Sequence, residues 1–224
     1  MLEIVPFTRD LVLVGGGHAH ALVLKAWGMN PLPGARLTVI NPGPTAPYTG
    51  MLPGYVAGHY ASSDLEIDLV KLCRHAGARL ILDKVINIDQ LQNKVMLAER
   101  NPVAYDIASF DIGITAKIDL PGFNEYGIGA KPLGVYARQW NNFFENVKQG
   151  KLSPNIAVIG GGVAGCELVM AMAYALHAVG VTPKVTVIEV GMQISGVGGK
   201  VRQKMLTAMN ALGVVVKTNT RVLK

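Results

Sequence analysis

One short pattern occurs twice in this chain, and it restricts the fold more than any other feature of the sequence. Residues 11–28 are LVLVGGGHAHALVLKAWG, and residues 156–175 are IAVIGGGVAGCELVMAMAYA. Each copy has four apolar residues, then three glycines, then a mostly apolar segment of helical length. A buried strand that enters a glycine turn and then a helix is typical of the first βα turn of a Rossmann-like unit. We therefore predict an α/β fold with two Rossmann-like units.

The second copy carries the complete GxGxxG pattern, in Gly160, Gly162 and Gly165. In a dinucleotide site the first glycine permits a sharp turn, the second lets the backbone approach a pyrophosphate, and the third lets the helix pack on the strand. The next predicted strand, KVTVIE, ends in Glu189, where an acid would accept hydrogen bonds from an adenosine ribose. Two uncharged residues follow, so no adjacent arginine awaits a 2′-phosphate, and NADH is favoured over NADPH. The alternative is a glycine turn with an ordinary strand-end glutamate.

The first copy departs from this pattern at two positions. Gly15 and Gly17 match the first two glycines, but His20 stands at the third, and the second strand, ARLTVI, ends in the neutral Asn41. This half is either a dinucleotide site or a Rossmann-like scaffold that has lost its ligand. His20 is either a proton-relay or ligand residue, or a helix residue packed on the sheet with one ring nitrogen bonded to the backbone. We favour packing, because a lone histidine rarely reports function.

The segments between and after the two copies show helix and strand patterns. We predict a helix near 64–76 capped by Ser63 or Asp64, strands at 78–82, on either side of 93–94 and within 105–113, and a helix at 134–149. The apolar stretch 163–181 contains Glu167 and His177, so a buried helix fits it better than a transmembrane one.

Composition narrows the functional classes. Half of the residues are hydrophobic and 16% are charged, which suits a folded domain with a large core. The net charge of +6 comes from lysines and arginines scattered along the chain, so we do not expect a nucleic-acid partner. Cys73 and Cys166 have no metal-ligand spacing around them, which indicates two buried thiols of a cytoplasmic protein and no metal site.

With these pieces placed, the chain resembles the flavoproteins with two dinucleotide-binding domains, which include the pyridine nucleotide–disulfide oxidoreductases and the type II NADH dehydrogenases. The segment PYTGMLPGYVAGHY at 47–60 narrows the resemblance to the flavoprotein module found N-terminal to, or beside, selenophosphate synthetase (selenide, water dikinase). That group's four signature segments occur here at 15–20, 47–54, 111–113 and 160–167.

The resemblance implies cofactor roles in both units, FAD in the first and NADH in the second. FAD would contact Gly15, Gly17, His18, Ala19, Asn41, Tyr48, Met51, Leu52, Val85, Asp111 and Gly113. NADH would contact Gly160, Gly162, Val163, Ala164, Gly165 and Glu189. Tyr48, Met51 and Glu167 are the candidates beside the reacting rings, although hydride transfer requires no side-chain acid or base.

The implied activity is that of an FAD-dependent NAD(P)H oxidoreductase. No cysteine pair lies near 47–54, so we expect no redox disulfide, and electrons would pass from flavin to a quinone or a small oxidant. A functional link to selenophosphate synthetase and a homodimer also follow from the resemblance. The alternative is a non-catalytic nucleotide-binding or regulatory module associated with that synthetase.

The expected domain organisation is an FAD-binding domain at 1–125, a linker helix region at 126–153 and the first half of an NAD(P)-binding domain at 154–224. Members of the group continue past the equivalent of Lys224, so the second unit is apparently truncated, as in a fragment or a shortened gene product. A half-built unit should leave apolar surface exposed within 155–224.

Overall fold

A computed structural model of the chain describes residues 6–113, 120–194 and 196–223. The strands are β1 (Arg9–Val14), β2 (Ala35–Asn41), β3 (Thr45–Pro47), β4 (Glu66–Asp68), β5 (Arg79–Leu82), β6 (Val85–Asp89), β7 (Lys94–Leu97), β8 (Val103–Ala104), β9 (Ile107–Phe110), β10 (Asn155–Ile159), β11 (Lys184–Ile188) and β12 (Val215–Lys217). The helices are α1 (His18–Met29), α2 (Leu52–Val56), α3 (Leu69–Ala76), α4 (Phe123–Tyr126), α5 (Leu133–Lys148), α6 (Val163–Ala178) and α7 (Gly199–Ala211). The mixed α/β fold with parallel sheets confirms the predicted class.

The described residues form two compact units that interleave along the chain. The first comprises those within 1–48 and 66–114, and the second those within 49–65 and 115–224. The segment 49–65 therefore packs with the second unit. The predicted division into an FAD-binding domain, a linker helix region and an NAD(P)-binding domain stays a prediction. Which cofactor each unit binds stays a prediction.

The first unit is built on a parallel sheet with strand order β5-β2-β1-β9. Successive residues of β1 are buried on opposite faces, as the two-residue period of a strand requires. Leu13 packs with α1 and α3, while Val12 and Val14 pack with the antiparallel sheet β6-β7-β8. Strand order reverses between β1 and β9, so their carboxyl ends meet at the switch point where ligands bind in doubly wound folds.

The second unit has a parallel sheet in the order β10-β11-β12. Helix α6 is buried on two sides, which explains its apolar sequence. Leu168 and Leu176 pack with α2 and α5, and Val169 and Ala173 pack with β11 and α7. Across the described ranges, no helix has the length and apolar content needed to cross a membrane.

The second unit also exposes apolar surface, as predicted. Among the residues that the structure describes, no fourth strand lies beside β10. Ile159, at the end of that strand, is 55% exposed, and Met192, in the loop after β11, is 89% exposed. An apolar groove of about 830 Å³ runs along β10, with walls that include Trp140 and Phe143 of α5.

The helix predicted near 64–76 is wrong at its start. Residues Glu66–Asp68 form β4, which pairs antiparallel with β3, and α3 begins at Leu69. Its cap is Asp68, whose carboxylate accepts a hydrogen bond from the Lys71 N–H at 2.9 Å. Asp64 instead accepts from the Ala61 N–H within a 3₁₀ turn. The other predicted elements in this region are confirmed, as β5, β6, β7, β9 and α5.

Candidate functional site

The two glycine turns close in the same way. Gly15 has φ +90° and Gly160 has φ +106°, a backbone conformation that residues other than glycine rarely adopt. The Gly15 N–H donates to the Ile40 carbonyl at 2.8 Å, and the Gly160 N–H donates to the Ile188 carbonyl at 2.8 Å. Each turn therefore leaves its strand at the same height relative to the neighbouring strand, and the sequence repeat is also a structural repeat.

The middle glycine of each turn is bonded to a polar residue at the carboxyl end of the neighbouring strand, Asn41 as the last residue of β2 and Glu189 just after β11. The Gly16 N–H donates to Asn41 Oδ1 at 3.0 Å, and the Gly161 N–H donates to Glu189 Oε2 at 2.6 Å. Both side chains are buried, Asn41 at 8% and Glu189 at 8% exposure. Asn41 and Glu189 thus stabilise the glycine turns. The contacts with the riboses that the sequence predicts for them would be a second role.

Asn41 uses its whole amide within the first unit. Its Nδ2 donates to the Gly43 carbonyl at 2.8 Å and to the Thr45 carbonyl at 3.1 Å. With both amide hydrogens used, the group can offer a ribose only the remaining acceptor capacity of Oδ1. Its contact with an adenosine ribose stays a prediction.

Glu189 keeps a negative charge at the corresponding position of the second unit. Its Oε1 accepts a hydrogen bond from the Gly191 N–H at 2.7 Å. The backbone N–H groups of Gly191 and Gly161 stabilise the carboxylate and lower the pKa of Glu189. An anion fixed at this edge of the sheet can accept further hydrogen bonds from hydroxyl groups.

The third motif position is filled differently in the two units. A side chain at Gly165 would collide with the carbonyl oxygen of Gly160, so glycine is required for the close approach of α6 to the turn. In the first unit His20 is only 2% exposed, with Nδ1 2.7 Å from the Gly15 carbonyl oxygen and Nε2 2.9 Å from Ser109 Oγ. Since a carbonyl can only accept, Nδ1 donates in this contact, while the Ser109 hydroxyl can either donate or accept. This burial and the bond to the backbone are what the packing interpretation of His20 predicts, and a role in chemistry is left to experiment.

Asp111 has a role that the sequence analysis missed. Its Oδ2 accepts hydrogen bonds from the N–H groups of Ala19 at 2.9 Å and His20 at 3.3 Å. The residue preceding α1 is Gly17, which offers no side-chain cap, so the Asp111 carboxylate, just after β9, accepts from the free N–H groups of the helix instead. An acid at the carboxyl end of a strand, facing a helix without its own cap, is the signal that could have revealed this contact.

Two predicted FAD contacts of the first unit lie beside each other. The rings of His18 and Tyr48 are 5.9 Å apart between centroids and tilted by 34°. His18 opens α1 and both side chains are exposed, so this aromatic pair flanks the glycine turn. Gly113 has φ +70° just beyond β9, and Val85 begins β6 and is half-buried beside the core of the first unit.

The remaining predicted site residues lie in the second unit. Leu52 is a core residue at 4% exposure, and Met51 is half-buried against the same cluster. Glu167 is exposed on α6. Val163 and Ala164 are exposed in the first turn of α6, where the described residues place no carboxylate on the helix N–H groups.

Both turns share the features of a Rossmann-type glycine turn. Each combines a positive-φ first glycine, a polar side chain on the middle glycine and a helix that starts at the turn. The N-terminus of α6 is accessible to a phosphate group. The N-terminus of α1 has the same geometry, but Asp111 already occupies two of its donors.

The parallel sheets and paired glycine turns define a Rossmann-like α/β protein. The chain belongs to the family described as pyridine nucleotide-disulphide oxidoreductase, whose sequence model matches residues 9–224.

Individual proteins are similar to the chain in sequence or in fold. The chain is 24% identical over 166 residues to the NADH dehydrogenase-like protein YutJ of Bacillus subtilis (strain 168), a match that covers 71% of this chain and 44% of the relative. Its fold is similar to that of the sulfide:quinone oxidoreductase of Aquifex aeolicus, with a TM-score of 0.77, 18% identity, and coverage of 95% of this chain and 51% of that one. It is also similar to NDH2 of Plasmodium falciparum, solved with NADH, with a TM-score of 0.77, 16% identity, and coverage of 94% and 48%. The chain thus spans about half the length of these proteins.

Proposed function

We propose that the chain functions as an FAD-dependent NADH oxidoreductase, in which the first unit binds FAD and the second binds NADH. The observation that carries this proposal is the repeated turn, in which Asn41 and Glu189 each hold the middle glycine of a turn at the carboxyl edge of a parallel sheet. One such turn is common in nucleotide-binding proteins, but two in one chain fit a pair of dinucleotides. The family supports the same pairing.

The chain's own residues would bind and orient the cofactors. Gly15, Gly17 and the first turn of α1 would face the FAD pyrophosphate, while Gly160, Gly162 and the first turn of α6 would face that of NADH. Tyr48 and His18 would lie beside the bound FAD. The exposed phenol of Tyr48 can both stack and hydrogen-bond. When bound, the cofactors supply the redox chemistry, in which hydride passes from nicotinamide to flavin and electrons pass on to an acceptor.

The proposed acceptor is a quinone or a small oxidant, reached without a redox disulfide. The two cysteines, Cys73 and Cys166, are free and buried. Burial raises the pKa of Cys73 to about 11, so it is not a reactive thiolate at neutral pH. The functional link to selenophosphate synthetase and the homodimer stay predictions from the sequence.

The preference for NADH rests on Glu189. Its lowered pKa keeps it anionic at neutral pH, and it stands where an adenosine ribose would bind. A 2′-phosphate brought to this anion would be repelled. Titration of the purified chain with NADH and with NADPH should therefore give the lower dissociation constant for NADH, and equal constants would contradict the preference.

The test of the proposed function is an absorbance spectrum of the purified chain after incubation with FAD. We expect retained flavin bands, and bleaching of those bands by NADH under anaerobic conditions. A colourless protein that takes up no FAD would disprove the proposal.

A second candidate function is a nucleotide-binding module without catalysis. The contact that favours it is Asp111, whose carboxylate occupies N–H donors that a flavin pyrophosphate would use. Binding of NADH without any turnover in the presence of FAD and an artificial acceptor such as ferricyanide would support the module over the enzyme.

A further inference from the structure

The two helix N-termini at the glycine turns differ in one respect. In α1 the N–H groups of the second and third residues donate to a single oxygen of Asp111, Oδ2. In α6 the described residues provide no such carboxylate, and the first turn is exposed. The two units therefore differ at the helix N-terminus, whose N–H groups would contact the phosphates.

Gly17 shows how closely the carboxylate fills the space over the turn. Its φ of −62° is accessible to any residue, so backbone conformation does not explain the glycine. A Cβ atom at this position would collide with the Asp111 carboxyl carbon and both of its oxygens. The second motif glycine keeps space for a close ligand in a dinucleotide site, and here that space holds a side chain of the protein itself.

A carboxylate and a phosphate compete for the same donors. Both are anions that favour a helix N-terminus, where free N–H groups and the helix dipole provide positive potential. The Asp111 backbone is fixed, since its N–H donates to the Val14 carbonyl at 2.9 Å and its carbonyl accepts from the Gly17 N–H at 3.3 Å. Release of the donors therefore requires only rotation of the Asp111 side chain.

We propose that Asp111 is an internal anion that competes with the FAD pyrophosphate for the N-terminus of α1 and weakens flavin binding. This inference rests on the proposed function, because it assumes that the first unit is the FAD site. Asp111 is a positioning residue in this scheme: it keeps α1 capped while FAD is absent and must turn aside when the pyrophosphate binds.

The test compares the dissociation constant for FAD of the wild-type chain with that of Asp111→Asn, measured by isothermal titration calorimetry. Asparagine keeps an acceptor oxygen at the same reach but removes the charge, so we expect binding about five- to tenfold tighter, the size of a helix-terminus charge effect. Glu99→Gln removes the same charge from an exposed residue and should leave the constant unchanged.

Thermal unfolding without ligand separates competition from simple capping. Asp111→Asn should lower Tm, because a neutral amide caps a helix dipole less well. Competition predicts this loss together with tighter FAD binding. A lower Tm with equal or weaker FAD binding would overturn the inference and leave Asp111 as a cap alone.

A parallel titration with inorganic pyrophosphate keeps the inference testable if FAD fails to bind. If no form of the chain takes up FAD, the proposed function is wrong, and the pyrophosphate titration then decides the competition. Tighter pyrophosphate binding by Asp111→Asn than by wild type would support it, whereas equal affinities would overturn it.

Discussion

Glu189 and Gly161 are joined by a hydrogen bond of 2.6 Å, from the N–H of a glycine in the turn before α6 to a carboxylate at the end of β11. The same carboxylate accepts from Gly191, so one side chain links the glycine turn to the loop that follows its own strand. Asn41 makes the equivalent link to Gly16 in the first unit. The strand-end residue of each unit is thus part of its scaffold.

Replacement of Glu189 should destabilise the second unit. Glu189→Ala leaves the buried Gly161 N–H without its acceptor, which should lower the free energy of unfolding by about 1–3 kcal/mol. Glu189→Gln keeps an acceptor oxygen, so its free energy of unfolding should fall less than that of Glu189→Ala. Urea unfolding of both variants checks this, and a Glu189→Ala chain as stable as wild type would show that water replaces the carboxylate.

Glu189 should also make stability depend on pH. Its pKa is lowered in the folded chain, so its contribution is fully present above the ordinary value of 4.5 and is lost as the pH falls through the lower folded pKa. Urea unfolding between pH 3 and pH 6 should therefore show a steeper loss for wild type than for Glu189→Gln, which has no titrating carboxyl at this position. Parallel curves would assign the acid sensitivity to other carboxylates.

His20 should matter for folding more than for chemistry. His20→Ala removes a buried ring and leaves the Gly15 carbonyl and the Ser109 hydroxyl without their partner, which should cost about 2–4 kcal/mol of unfolding free energy. Ser109→Ala removes one hydrogen bond and should cost about 0.5–1.5 kcal/mol. If His20→Ala abolishes reduction by NADH while FAD stays bound, the packing interpretation is wrong.

Gly165 should not accept even one methyl group. Gly165→Ala pushes its Cβ into the Gly160 carbonyl oxygen and forces α6 away from the turn, at a cost of about 1–3 kcal/mol, with weaker NADH binding. The matched control is Gly199→Ala at the start of α7, where a Cβ meets open space. We expect the control to be neutral or stabilising in urea unfolding, and similar losses for both variants would refute the steric argument.

The hydroxyl of Tyr136 should be dispensable. It is buried in the core of the second unit without a hydrogen-bond partner among the described residues, and burial raises the pKa of Tyr136 to about 12. Tyr136→Phe should therefore keep or increase stability, by up to about 1 kcal/mol. Tyr55→Phe, in the same cluster, loses a hydrogen bond to the Ala137 carbonyl and should be mildly destabilising. Destabilisation by Tyr136→Phe would indicate a partner, such as water, for this hydroxyl.

The features that were predictable from the sequence are local ones. Strand, glycine turn and helix follow each other within about twenty residues, so LVLVGGG and IAVIGGG were sufficient to place both turns and the buried α6. The antiparallel strands around Asn93 were predictable for the same reason.

The features that were missed depend on contacts between distant segments. Strand β4 exists because Ile67 pairs with Ala46, and the sequence around Asp64 gave a false helix start. The cap of α1 joins Ala19 to a carboxylate 92 residues away, which no local pattern reports. The segment 49–65 packs with α5 and α6 through Leu52 and Leu65, again over long separations.

The imidazole of His20 has a practical consequence for finding related proteins. A search that demands glycine at the sixth motif position would detect the turn at Gly160 and overlook the one at Gly15. What the two turns share is a polar strand-end side chain bonded to the middle glycine, at Asn41 and at Glu189. A search of structures for this hydrogen bond, from the middle glycine to a strand-end polar side chain, would find glycine turns that a sequence motif misses. Such a search would detect both Rossmann-like units in chains like this one.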